Sequence, residues 1–182
     1  LFRAELEELL LLAREKSSDP RSFTGSFAGA LGLPQFLPSS YRRYAVDFDG
    51  DGRIDLSASP HDAIGSVAHF LQQHGWAAGE KIVTPALISG ESYVALADGE
   101  VQPKYTQAEL AAYGVAAGFG FAAGQKCALI DLVTPNERSE YWLGLQNFFV
   151  LTRYNRSSFY AMTVYQFAEE LRTQRTAALP RR

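Results

Sequence analysis

The sequence predicts an α+β fold that is mainly helical, and three observations lead there. Apolar residues recur at helical spacing over the first 16 residues, in the segment after Ser59, and again over 157–175. Between Lys81 and Glu140 the texture changes to short β-prone pieces separated by Gly, Pro and Asn. The chain of 182 residues, 47% hydrophobic and 20% charged, is long enough to bury a substantial interior.

The first helix places Phe2, Leu6, Leu9, Leu10 and Ala13 on an apolar stripe, with Glu5, Glu8 and Glu15 toward a solvent-type face. The stretch "SSDPRSFTGSFAGALGLPQFLPSS" follows, and its density of glycine and proline predicts turns and short helical pieces in which backbone approaches something closely. An acidic loop leads to Ser59 and Pro60, a cap and a first-turn residue for a helix carrying Ile64, Val67, Ala68 and Leu71, ending near His74-Gly75. Asp62 stands in its first turn, where the helix dipole favours an anion.

Residues 1–80 therefore form one helical segment, and 81–140 a small β-rich insertion with strands in "KIVTPALI", "ESYVALA" and "CALIDLV". The insertion also holds a short helix near Thr106–Tyr113, which Thr106 and Glu109 can open with a capping box. Residues 141–182 return to the helical part. There "YWLGLQNFFVLTRYN" reads as a strand running into a loop, and the last helix has Tyr160, Val164, Phe167 and Leu171 as its stripe.

A formal charge of −3 argues against a nucleic-acid partner, although the tail "RTQRTAALPRR" is basic and is expected to fray. No apolar run approaches the roughly 20 residues that span a bilayer. A single cysteine, Cys127, excludes an internal disulfide framework or thiolate cluster and is expected as a buried bystander. The first residues lack a signal-peptide layout. His61, His69 and His74 show no ligand spacing and are expected on helix surfaces, while Trp76 and Trp142 are expected in the core.

In "AVDFDGDGRIDLSASPHD", Asp47, Asp49 and Asp51 alternate and Gly52 follows, as in an EF-hand loop, but the twelfth position is Ala58 instead of a closing Glu. Arg53 stands where such a loop donates a backbone carbonyl, Asp55 is placed to act through water, and Asp62 can close a longer loop. An acidic Gly-rich turn without metal satisfies the same residues. Mutual repulsion of three aspartates favours a bound Ca²⁺ held as a structural staple. One loop and one methionine argue against a calcium sensor, and no organic cofactor is indicated.

"GSFAGALGLPQFLPSS", the aspartate loop, "DAIGSVAHFLQQHGW" and "YWLGLQNFFVLTRYNRSSFYAM" occur in the order found in the lytic murein transglycosylase B family, which this chain resembles over about half its length. The resemblance implies a lysozyme-like core and a periplasmic enzyme, soluble or lipid-anchored to the outer membrane. It implies cleavage of the β-1,4 bond between N-acetylmuramic acid and N-acetylglucosamine in peptidoglycan, closing a 1,6-anhydro end. One carboxylic acid then suffices, protonated near neutral pH by an apolar setting. The expected partners are glycan strands and other cell-wall enzymes, and a monomer is expected.

By motif position Ser26 and Gln35 match polar contacts beside the acid, and Tyr154, Asn155 and Tyr160 match cleft residues. Phe70 stands where the family has Tyr. The residues alone equally allow turn capping by Ser26 and Gln35, core packing by Phe70, and a cap and a core stripe for Asn155 and Tyr160. The family's catalytic Glu, followed by Thr or Ser in a helix ahead of "GSFAGA", has no match here: Glu5, Glu7, Glu8 and Glu15 lack that context, and Glu91-Ser92 lies in the insertion. The resemblance thus implies that the acid lies upstream of Leu1 and that this C-terminal portion is inactive alone. The alternatives are a non-catalytic calcium-stabilised glycan-binding module and a lysozyme-like hydrolase.

Overall fold

The computed structural model describes residues 2–122, 124–136 and 138–178, so the tip of the basic tail lies outside the described residues. The chain divides into two compact units, Leu1–Gln73 and His74–Arg182.

In the first unit, helix α1 (Phe2–Glu15) leads through a Gly-rich segment to α2 (Pro38–Tyr44), the acidic loop and α3 (Pro60–Gln73). Helix α1 buries Leu12 and Ala13, whereas Phe2, Leu6 and Leu10 of the expected apolar stripe stay exposed. The glutamates correct the sequence reading as well. They reach α2, although Glu15 stays exposed and Glu5 and Glu8 are half-buried: the Glu5 carboxylate accepts from the Ser39 N–H at 3.0 Å and its hydroxyl at 2.8 Å. Leu37 gives α2 no side-chain cap, so Glu5 supplies one from 34 residues away. Glu8 and Glu15 both pair with Arg42, the latter through Nη2 at 2.6 Å.

Between these helices, Leu31 bridges to both Gly25 and Phe36. Gly32 has φ +64°, and a Cβ there would lie 2.5 Å from the Leu56 carbonyl oxygen, so only glycine fits. Leu33 N–H then donates to that oxygen at 2.7 Å. Leu31, Phe36, Tyr41, Tyr44, Leu56 and Phe70 form the core of this unit.

In the second unit, strands β1 (Val83–Ile88), β2 (Val115–Ala117), β3 (Ala128–Leu132) and β4 (Glu140–Gly144) form an antiparallel sheet in the order β2-β1-β4-β3. Leu96, Leu110, Val115, Cys127, Leu129, Leu143 and Leu145 pack together as its core. Burial pushes the Cys127 thiol up to about 11, which leaves it inert. Helix α4 (Gln107–Ala111) opens on the expected capping box: Thr106 N–H donates to Glu109 at 2.7 Å and Glu109 N–H returns to Thr106 Oγ1 at 3.3 Å.

Where a loop was expected, β4 runs into helix α5 (Gln146–Tyr154). The reason is Asn147, fully buried, whose amide accepts from Ala77 N–H at 2.8 Å and donates to Ala77 O at 2.8 Å and Glu80 O at 3.1 Å. Helix α6 (Ser158–Ala178) buries Ala161 and Met162, while Tyr160, Phe167 and Leu171 of its expected stripe are exposed. Trp76 and Trp142 are half-buried instead of core residues, Trp142 Nε1 donating to Glu140 at 3.2 Å.

Candidate functional site

The acidic loop folds onto the start of α3. One carboxylate oxygen each from Asp47, Asp49 and Asp62 lies within 4.8 Å of the others. Backbone geometry produces this convergence. Gly50 and Gly52 take φ of +77° and +85°, and their N–H groups bond the two Asp47 oxygens at 2.7 and 2.8 Å. Asp49 accepts from Asp51 N–H at 3.3 Å and from the Ser59 hydroxyl at 3.1 Å. Asp62, 1% exposed, accepts from Phe48 N–H at 2.9 Å and Asp55 N–H at 2.8 Å. Those two donors, Asp55's first, hold its carboxyl below the usual aspartate range.

Each of these oxygens keeps a lone pair beyond its N–H partner, and an all-oxygen donor set suits a hard divalent cation. The residues therefore fit a metal ion. The Asp51 carboxylate is not in the converging group and takes the Arg53 N–H at 2.8 Å, while Asp55 takes the N–H groups of Ser57 and Ala58 at 2.9 Å. Gly65 secures the loop from below: a Cβ there would meet the Phe48 ring at 2.4 Å. Neither the Ser59 hydroxyl as a partner of Asp49 nor the Gly65–Phe48 fit was anticipated. The Ser59-Pro60 cap signature was the available clue to the first.

The Gly-rich segment presents two polar side chains. Ser26 donates its N–H to Ala30 O at 2.9 Å and accepts the Ala30 N–H on Oγ at 3.1 Å, so its hydroxyl proton stays available. Gln35 is a non-glycine residue at φ +54°, with Nε2 donating to Gly32 O at 3.0 Å and its amide oxygen exposed. Left-handed backbone at a residue with a Cβ costs about 1–2 kcal/mol and occurs where surrounding structure enforces it. Phe70, by contrast, is buried, its ring centroid 4.9 Å from Tyr44 and 5.8 Å from Phe36.

In the second unit, the end of α5 and the start of α6 bring Tyr154 and Tyr160 into a parallel stack, centroids 6.4 Å apart and planes 4° from parallel. Burial raises the Tyr154 phenol above its usual range, so it remains a neutral donor. Asn155 ends α5, and its exposed side-chain amide makes no hydrogen bond among the described residues.

These side chains are carried on an α+β scaffold whose acidic loop offers a set of converging oxygen donors. A family model for the transglycosylase SLT domain matches residues 1–169. The chain is 44% identical over 168 residues to the membrane-bound lytic murein transglycosylase B of Escherichia coli K12, covering 92% of this chain and 45% of that protein. The crystal structure of soluble lytic transglycosylase SltB1 from Pseudomonas aeruginosa superposes with a TM-score of 0.86 at 51% identity, over 96% of this chain and 57% of that one. The Escherichia coli lytic transglycosylase Slt35 in complex with calcium gives 0.83 at 43% identity, over 95% and 54%. This chain belongs to the transglycosylase SLT domain family, with the lysozyme-like fold of its lytic transglycosylases, and spans about half the length of these relatives. No described helix is long and apolar enough to cross a membrane.

Proposed function

We propose that the chain forms the glycan-binding part of a peptidoglycan lytic transglycosylase that cleaves the MurNAc-GlcNAc β-1,4 bond and leaves a 1,6-anhydromuramic acid end. The observation carrying this reading is the family match over residues 1–169. Ser26 and Gln35 offer a hydroxyl and an amide to sugar or acetamido groups. Tyr154 and Tyr160 offer ring faces and hydroxyl rims to pyranoses, and Asn155 both donates and accepts. Phe70 contributes to the wall beneath Gln35 by packing Phe36. A periplasmic setting, soluble or lipid-anchored to the outer membrane, follows from the substrate, and glycan strands are the partner.

In this reading Asp47, Asp49 and Asp62 hold a structural Ca²⁺, with Asp51 and the Arg53 carbonyl completing the shell. When bound, the ion neutralises the three carboxylates and ties the loop to α3. The residues of the chain bind and orient the glycan.

Titration of ¹⁵N-labelled chain with a GlcNAc-MurNAc tetrasaccharide tests the reading. Shifts are expected at Ser26, Gln35 and Asn155, and Gln35→Ala and Asn155→Ala are expected to weaken binding about tenfold or less. Absence of glycan binding would overturn it. Where cleavage accompanies binding, a reducing muramic acid end would assign a hydrolase instead.

A further inference from the structure

Gln35 keeps its left-handed backbone at φ +54° although its side chain is exposed, so burial of that side chain does not hold it there. The turn around it is closed from within. Leu31 N–H donates to Phe36 O at 2.7 Å and Phe36 N–H returns to Leu31 O at 3.1 Å, while Gly32 O accepts both the Gln35 N–H at 3.1 Å and its Nε2 at 3.0 Å. These bonds set the shape of residues 31–36 and commit one hydrogen of the Gln35 amide, leaving its oxygen and a second hydrogen for a ligand.

Where that turn stands is set from the end of the acidic loop. Leu33 N–H donates to Leu56 O at 2.7 Å, and because the Leu33 side chain is exposed, this bond rather than packing places Leu33. Gly32 lies against the same residue, so closely that a Cβ would sit 2.5 Å from the Leu56 carbonyl oxygen and 3.0 Å from its Cβ. Leu56 is fully buried, and its backbone is held on both sides. Before it, Ile54 O accepts from Lys16 Nζ at 2.7 Å and from the Tyr41 hydroxyl at 3.1 Å. After it, the Asp55 carboxylate accepts the N–H groups of Ser57 and Ala58 at 2.9 Å, and Ser59 N–H donates to Asp55 O at 3.0 Å. None of these bonds uses Asp47, Asp49 or Asp62. We infer that Leu56 is the positioning residue for Gln35: its buried side chain fixes a carbonyl that holds the 31–36 turn where the Gln35 amide can meet a sugar, with or without an ion on the aspartates. The inference rests on the reading of Gln35 as a glycan contact. It divides one loop between two tasks, stability from the aspartates and affinity from Leu56.

The test uses the ¹⁵N-labelled 182-residue chain and a peptide-free GlcNAc-MurNAc tetrasaccharide, with affinity read by calorimetry. Leu56→Ala frees the carbonyl and should weaken binding up to about tenfold, the loss expected of Gln35→Ala, and the double variant should lose no more than about twofold beyond either. Leu56→Met keeps the volume and should restore wild-type affinity. Gly32→Ala drives the same two backbones apart without opening the core, and should reproduce the loss if Leu56→Ala fails to fold, as melting curves would show. In the wild type the Leu33 amide should exchange slowly despite its exposed side chain, and in Leu56→Ala the Gln35 Nε2 signals should move toward free-amide values. Wild-type affinity in calcium and in chelator should agree within about twofold.

Additive losses in the double variant would overturn the inference, since Leu56 would then act other than through Gln35. So would a folded Leu56→Ala chain with wild-type affinity, or a Leu33 amide that exchanges as fast as an unprotected one. A clear fall in affinity in chelator, with the chain still folded, would overturn the independence from the ion. A wild-type chain that binds no tetrasaccharide would defeat the glycan reading instead, and the Leu33 exchange and the Gln35 Nε2 signals would still decide whether Leu56 places Gln35.

Discussion

Asn147→Ala is expected to be the most damaging single change outside the hydrocarbon core. The side chain is fully buried and makes three hydrogen bonds to the Ala77–Glu80 turn, at 2.8, 2.8 and 3.1 Å, across about 70 residues of sequence. A net hydrogen bond is worth about 1 kcal/mol, and a buried group left unpaired costs about 1–3 kcal/mol. The Glu80 carbonyl is on an exposed residue and can recover a water, so the expected loss is about 2–4 kcal/mol. For a domain of this size that corresponds to a fall in Tm of about 4–16 °C. Urea unfolding followed by tryptophan fluorescence reports on the right unit, because both tryptophans, Trp76 and Trp142, lie in it. Asn155→Ala, at an exposed amide without a partner, should change stability by less than about 0.5 kcal/mol while weakening glycan binding. A loss below about 1 kcal/mol for Asn147→Ala would refute the view that this amide is what holds α5 against the turn.

Four further outcomes follow from the first unit. Calcium should raise the melting temperature of the wild-type chain, and Asp49→Ala should abolish that rise while leaving sugar contacts in place; equal melting with calcium and with chelator would defeat the staple. Gly65→Ala should cost about 1–3 kcal/mol and weaken calcium binding, because the new Cβ would lie 2.4 Å from the Phe48 ring; calorimetric calcium titration of the variant checks it. The Asp62 carboxyl sits below its usual range in the folded chain, so its contribution is complete above the ordinary aspartate pKa and is lost as pH falls through the lower folded value. Acid unfolding in chelator should therefore steepen below the ordinary range, and Asp62→Asn should flatten that limb. Gln35→Gly should relieve backbone strain, raising stability by about 1 kcal/mol, while lowering glycan affinity; a variant both less stable and equally sugar-competent would contradict the assignment.

Local chemistry was legible where it is encoded within a few residues. Ser59-Pro60 and Thr106-x-x-Glu109 announced their helices because a cap needs only its own turn. That Asp62 lies against Asp47 and Asp49 was legible because it stands in a first turn that other signals already fixed. Helix α5 was not, since "QNFFVLTRYN" is rich in β-prone residues and its deciding contact, Asn147 to Ala77, spans 70 residues. Periodicity also overstated burial in α1 and α6: spacing shows which residues share a face, and Phe2, Leu6, Phe167 and Leu171 share faces that the described chain leaves exposed. Motif position singled out Tyr154, Asn155 and Tyr160 as candidates, but the parallel tyrosine stack depends on how α5 turns into α6.

The glutamates of α1 show why residue type alone does not assign a catalytic acid. A general acid in the proposed chemistry has to keep its proton near neutral pH, which requires desolvation without a neighbouring cation. Glu15 has the opposite environment, because hydrogen bonding to Arg42 pulls its carboxyl below the usual glutamate range. Glu8 shares the same guanidinium, and Glu5 spends both oxygens on the exposed N-terminus of α2. All three are committed to holding α1 against α2, and those helices flank the Gly-rich segment that carries Ser26 and Gln35. Their hydrogen bonds and ion pairs thus tie together the two helices on either side of that segment. That division of labour, carboxylates for position and amides, hydroxyls and rings for contact, is the one the proposed glycan-binding function requires.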